Sequence, residues 1–128
     1  MAPLLDALGY PAEPSVIRER CAALLRDDAT ARILVGTAGG RVLGLATLHV
    51  TPVLHRPTGI GRITALAVLP EAQGMGIGRR LIAEAERHFA AAGLRRLEIS
   101  SGSTHRDAYG FYRHLGYEDH GVRFAKAI

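Results

Sequence analysis

The segment "QGMGIGRR", Gln73 to Arg80, sets three glycines in five positions between an apolar run and a helical pattern, and two arginines follow at once. Glycine loses more backbone freedom on folding than any other residue. Such density therefore marks a backbone that must take positive φ or approach something closely. A strand, a glycine-rich turn and a helix start together make an anion site. The first N–H groups of the helix have no intrahelical partner, and the helix dipole adds positive potential there. Two phosphate-binding spacings fail. In G-x-G-x-x-G the sixth position from Gly74 is Arg79, and from Gly76 it is Leu81. In G-x-x-x-x-G-K-[ST], Arg79 stands at the second glycine, with no lysine or hydroxyl after it. The plain alternative is a tight turn without ligand, for which two glycines suffice; a third and Arg79-Arg80 argue for an anion.

The flanking patterns give an α/β order. "LLDALGYPAEP" begins as an apolar helix and breaks at Gly9 and Pro11. Ser15 is a candidate N-cap for a helix carrying Ile17, Cys21, Leu24 and Leu25 on one stripe. "ARILVGT" and "RVLGLATLHV" read as a hairpin turning at Gly39-Gly40. Residues 51–61 form a Pro/Gly loop. "RITALAVLP" is a third strand stopped by Pro70, Arg79 to Ala92 an amphipathic helix ended by Gly93, and "RRLEIS" a fourth strand. Asp107 to Leu115 is a short helix, and "VRFAKAI" a last strand. Early hairpins followed by a helical crossover predict one domain over residues 1–128, a mixed, mostly antiparallel sheet flanked by helices.

Composition excludes several classes. The net charge of +4 favours an acidic ligand, but the arginines are scattered and not interleaved with aromatics, so nucleic acid is not expected. Cys21 is the only cysteine, which fits a reducing compartment and a packing role. No basic-then-apolar leader and no ~20-residue apolar run is present. The expectation is a cytoplasmic protein without membrane contact. The six histidines have no metal-ligand spacing and G-x-S-x-G is absent, so neither a metal nor a serine nucleophile is expected.

Gln73, Gly76 and Gly78 do fit Q-x-x-G-x-G. "LAVLPEAQGMGIGRRLI" resembles the strand, pyrophosphate loop and helix of the GNAT superfamily of acetyl-coenzyme A-dependent N-acetyltransferases, and "DAYGFYRHLGY" resembles its second signature. The early hairpin and "LGYP" extend the resemblance over nearly the whole chain. One departure is that members usually open with a strand ahead of the first helix, whereas this sequence starts inside "APLLDALGYP". That leaves a sheet edge which a homodimer partner would cap.

The resemblance implies acetyl-coenzyme A as cosubstrate and direct attack by a primary amine, of a small molecule or peptide, in a ternary complex. Backbone amides of Gln73, Gly74, Met75, Gly76, Ile77, Gly78 and Arg79 would hold the pyrophosphate. Leu66, Ala67 and Val68 would pair with the pantetheine amides. Tyr112 matches the family's general acid; its alternative is core packing beside Phe111. His105 stands where many members carry a coenzyme-contacting asparagine. For the general base, Glu98, His55 and a water chain remain open. The rival reading is a non-catalytic coenzyme A-binding module, a sensor or assembly subunit.

Overall fold

The computed structural model describes residues 3, 12–100, 106–120 and 124–128, with backbone alone for 106–109. In chain order the elements are α1 (Pro14–Asp27), β1 (Arg32–Ala38), β2 (Arg41–Thr51), β3 (Ile60–Val68), a 3-10 turn (Pro70–Ala72), α2 (Ile77–Ala91), β4 (Leu97–Ile99) and α3 (Arg106–His114). The strands lie in the order β1-β2-β3-β4. The first two pairings are antiparallel and β3–β4 is parallel, so α2 is the crossover between two parallel neighbours. The mixed α/β sheet read from the sequence is therefore the observed one.

Helix α1 starts on Pro14, whose fixed φ suits the first helical position; Glu13 is the N-cap, and Ser15 sits inside the first turn rather than capping it. The turn after α1 is tied to β2. Asp28 Oδ1 accepts from Thr30 N–H (2.8 Å) and Thr30 Oγ1 (2.6 Å), Oδ2 lies 3.1 Å from His49 Nδ1, and Val50 N–H donates to Thr30 Oγ1 (3.0 Å). The Thr30 hydroxyl, then His49, hold the Asp28 carboxyl down at about 2. Gly39 and Gly40 both take positive φ (57° and 76°), as the two-residue hairpin requires.

One face of the sheet packs on α2: Ala46, Leu48 and Ile63 meet Leu81, Ile82, Ala85 and Phe89. A second cluster, Leu43, Leu45, Ala67, Leu69 and Ala72, gathers on the opposite face. Glycines in the strands bring α2 close at both ends. Gly36 and Gly44 are register partners, and a Cβ on either would stand 2.9 or 2.8 Å from Ile77 Cγ2. At the far end a Cβ on Gly61 would stand 2.7 Å from the Phe89 ring.

The boundaries move where tertiary pairing decides them. β3 begins at Ile60 instead of Arg62, and α2 at Ile77 instead of Arg79, because Gly76 is its N-cap. β4 keeps three of the six expected residues, those that pair with β3. Residues 124–128 form no strand, with Phe124 and Ile128 exposed. The apolar helix expected before Pro11 lies outside the described residues.

Gly61→Ala should lower stability by about 1–3 kcal/mol, because an aromatic ring locked in the core has to move. Urea unfolding measures it; an unchanged midpoint would show that Phe89 shifts at no cost.

Candidate active site

β3 and β4 share a short ladder and then part. Their register runs only from Gly61–Leu97 to Ile63–Ile99, flanked by Gly61 N–H donating to the Arg96 carbonyl (2.9 Å) and Ser100 N–H donating to the Ile63 carbonyl (3.2 Å). β3 continues to Val68, and among the described residues no strand follows it on that side. Strand parity shows which groups are left open. Leu69 N–H donates to the Leu43 carbonyl (2.8 Å), so Ala67 and Ala65, two and four residues back, also bond toward β2. Leu66 and Val68 turn their N–H and C=O groups to the open side. Of the three residues expected to present main chain there, Ala67 does not: its backbone is engaged by β2.

The end of β3 runs through the 3-10 turn into the glycine loop. Gln73 N–H donates to the Pro70 carbonyl and Met75 N–H to the Ala72 carbonyl, both at 3.3 Å. Gly74 and Gly76 take φ of 86° and 80° with open space where a Cβ would stand. These two glycines are demanded by backbone conformation. Gly76 caps α2 without any side-chain hydrogen bond, and the first helical bond is Arg80 N–H to its carbonyl (3.1 Å). The N–H groups of Ile77, Gly78 and Arg79 precede Arg80, the first donor with an intrahelical acceptor. No acidic residue sits in that turn, and Arg79 and Arg80 are exposed without an ion-pair partner among the described residues. Gly78 differs in kind. Its φ is not positive, and a Cβ would meet Phe111 at 3.5 Å and Val68 at 3.6 Å, ordinary contact distances. Those two neighbours show that the open end of β3, the start of α2 and helix α3 converge.

Tyr112 projects from α3 into the cluster on α2, with Phe111 at 5.5 Å and Tyr117 at 6.4 Å between ring centroids. Burial raises its phenol above the ordinary value of 10.0. Tyr117 donates to Glu86 Oε1 (2.9 Å), and burial together with that bond pushes its phenol up as well. Both hold their protons at neutral pH. Packing and a role at the site are thus compatible for Tyr112.

Glu98 belongs to the other face of the sheet. Leu97 and Ile99, on either side of it, pack in the cluster that contains Tyr112, so alternation turns Glu98 away. There it accepts from Arg96 Nε (2.9 Å) and lies 3.4 Å from Arg62 Nη2. The Arg96 bond, with Arg62 and Arg56 nearby, lowers its carboxyl below the usual range against a smaller effect of burial. His55 is exposed in the loop between β2 and β3. His105 lies outside the described residues. A further pair escaped the sequence reading: Thr47 and Thr64 share a 2.7 Å hydrogen bond between their Oγ1 atoms. Thr64 is the extra residue of a bulge opposite Thr47 and Leu48, one residue past the last β3–β4 partners. Periodicity carries no signal for a bulge set by cross-strand register. Among the described residues no group of His, Cys, Asp and Glu side chains could hold a metal, and no helix is long and apolar enough to cross a membrane.

The profile described as "Acetyltransferase (GNAT) family" matches residues 4–117. An aminoalkylphosphonate N-acetyltransferase of Salmonella typhimurium is 40% identical over 89 residues, covering 70% of this chain. The chain spans 58% of that relative's length. A GNAT family acetyltransferase of Staphylococcus aureus superposes with a TM-score of 0.84 at 20% identity, covering 99% of this chain and 86% of the other. An aminoglycoside N-acetyltransferase solved in complex with CoA superposes at 0.73 and 19% identity, covering 89% and 90%. At those identities the superpositions show the shared fold.

The two kinds of glycine in the loop separate by mutation. Gly76→Ala should cost about 1 kcal/mol or more in thermal unfolding, the penalty of a Cβ at positive φ. Gly78→Ala should be neutral or mildly stabilising, since alanine favours a helix turn. Equal losses at both positions would contradict the assignment.

Proposed function

The chain belongs to the acetyltransferase (GNAT) family, and from that premise we propose that it moves an acetyl group from acetyl-coenzyme A to the primary amine of a small molecule or peptide. One observation carries the reading: the end of β3, with one edge open among the described residues, runs directly into a glycine-led helix start whose first amides no side chain caps. The residues present suit such a coenzyme. Positive-φ glycines keep the loop free of Cβ atoms, and Arg79 and Arg80 add positive charge where phosphates would lie. Main-chain groups of Leu66 and Val68 suit an extended chain bearing amides, which would lie along β3 as a further strand does.

When bound, acetyl-coenzyme A supplies a thioester whose acyl carbon is open to attack by a neutral amine. The chain's own part is to orient, to polarise and to manage two protons. Ile77, Gly78 and Arg79 amides would bind the diphosphate. A β3 N–H, Leu66 by parity, faces the open side and is placed to donate to a carbonyl oxygen there. Tyr112 keeps its proton on Oη at neutral pH and is the group we assign to protonate the leaving thiolate. Glu98 is a weak proton acceptor, ionised and paired with two guanidiniums. Solvent water at the mouth of the site is therefore the proposed route for the amine proton. The Salmonella relative is named for aminoalkylphosphonates, and a small-molecule amine is the acceptor class proposed here.

Thiol release from acetyl-coenzyme A, measured over a panel of amines, tests the activity. Tyr112→Phe should lower kcat by about 100-fold on whichever amine responds while calorimetric coenzyme affinity stays within error. Unchanged turnover would remove Tyr112 from the acid role; coenzyme binding without turnover on any amine would favour a binding module.

A further inference from the structure

On the sheet face opposite α2, polar side chains line up across the point where β3 and β4 part. Thr64 and Thr47 share their hydroxyl bond at the bulge. Arg62 stands two residues before Thr64 on the same strand. Ile63 between them is fully buried on the α2 side, so Arg62 and Thr64 share the other face. At a rise of ~3.3 Å per residue their Cα atoms are about 7 Å apart. Arg62 pairs in register with Glu98, and Arg96 approaches the same carboxylate from β4's own side.

One carboxylate therefore serves two guanidiniums. Each guanidinium has five N–H donors, and Arg62 uses one loosely, at 3.4 Å. Arg56 adds a third positive charge close enough to act on Glu98. Of the described acids, Asp28 is engaged with Thr30 and His49, and Glu118 with His120, whose Nδ1 lies 3.4 Å from Arg96 Nη2. Glu98 thus works as a brace that holds two forked cations on the face, with donors to spare for a second oxyanion.

We propose that the Thr47–Thr64 hydroxyl pair and the Arg62–Glu98–Arg96 cluster form the acceptor subsite, and that the acceptor is a short primary amine carrying an acidic group. The inference rests on the acetyltransferase reading above. The hydroxyl pair, one residue beyond the last shared β3–β4 register, accepts from the amine beside the open edge of β3. The arginines hold a carboxylate, sulfonate or phosphonate a few bonds away. Arg62 and Arg96 are specificity-determining residues here; they take no part in moving protons. The spacing disfavours polycations, whose second amine would meet guanidinium.

Coenzyme binding is measured first by calorimetry. Thiol release is then measured with 2-aminoethylphosphonate, taurine and β-alanine against ethanolamine and putrescine. At least one anionic amine should exceed both others in kcat/KM by about tenfold or more. Arg62→Gln should raise KM for that amine by about tenfold, leave coenzyme affinity unchanged and shrink the preference; Arg62→Lys should restore part of it. Coenzyme binding with turnover of ethanolamine or putrescine at rates equal to or above the anionic amines overturns this inference alone. So does a preference that survives Arg62→Gln. Failure to bind the coenzyme overturns the acetyltransferase reading and takes this inference with it.

Discussion

Two hydrogen bonds, Gly61 N–H to the Arg96 carbonyl and Ser100 N–H to the Ile63 carbonyl, mark the limits of the contact between β3 and β4. Because β3–β4 pairing stops at Ile63, the last five residues of β3 have no strand on that edge among the described residues. Buried or half-buried main chain cannot be left without partners at no cost. An edge held open beside a helix start is therefore a place where a bound chain would make those bonds. The bulge at Thr64, the Arg62–Glu98 pairing and the glycine loop are all placed by this one divergence.

The divergence is kept rigid by how closely α2 lies on the sheet. Gly36 and Gly44 let Ile77, the first residue of α2, sit against the strand backbone, and Gly61 does the same for Phe89 at the other end. The uncapped amides of the first turn are thus referenced to β1 and β2, not left on a loose loop. From α3, Phe111 approaches the same turn and Tyr112 enters the core beside α2. Packing there is compatible with the proton-donor role proposed for Tyr112.

Much of this was legible in the sequence. Gly39-Gly40, the alternating strands and the stripe of Ile82, Ala85 and Phe89 fix the hairpin and the crossover helix by local chemistry alone, and the spacing of Gln73, Gly76 and Gly78 marks the loop. Less legible were features set by pairing across the sheet. Ala67 bonds toward β2 because of parity counted from Leu69, and Glu98 turns away from Tyr112 because Leu97 and Ile99 take the core side. β4 is three residues long because only Leu97, Glu98 and Ile99 pair with β3 before the two strands part. The Thr47–Thr64 bond follows from a bulge that no one-dimensional period records. Ser15 lost the cap to Glu13 because Pro14 could begin the helix.

The central claim is that the open edge of β3 and the start of α2 together hold an acyl-coenzyme A through main-chain donors. Backbone amide shifts followed by nuclear magnetic resonance during a coenzyme A titration test it most directly. The account predicts saturable shifts concentrated at Leu66 and Val68 and from Gly74 to Arg79, with Ala67 moving less than its neighbours. Saturable binding that leaves those amides unmoved, or that perturbs the outer edge of β1 instead, would contradict it.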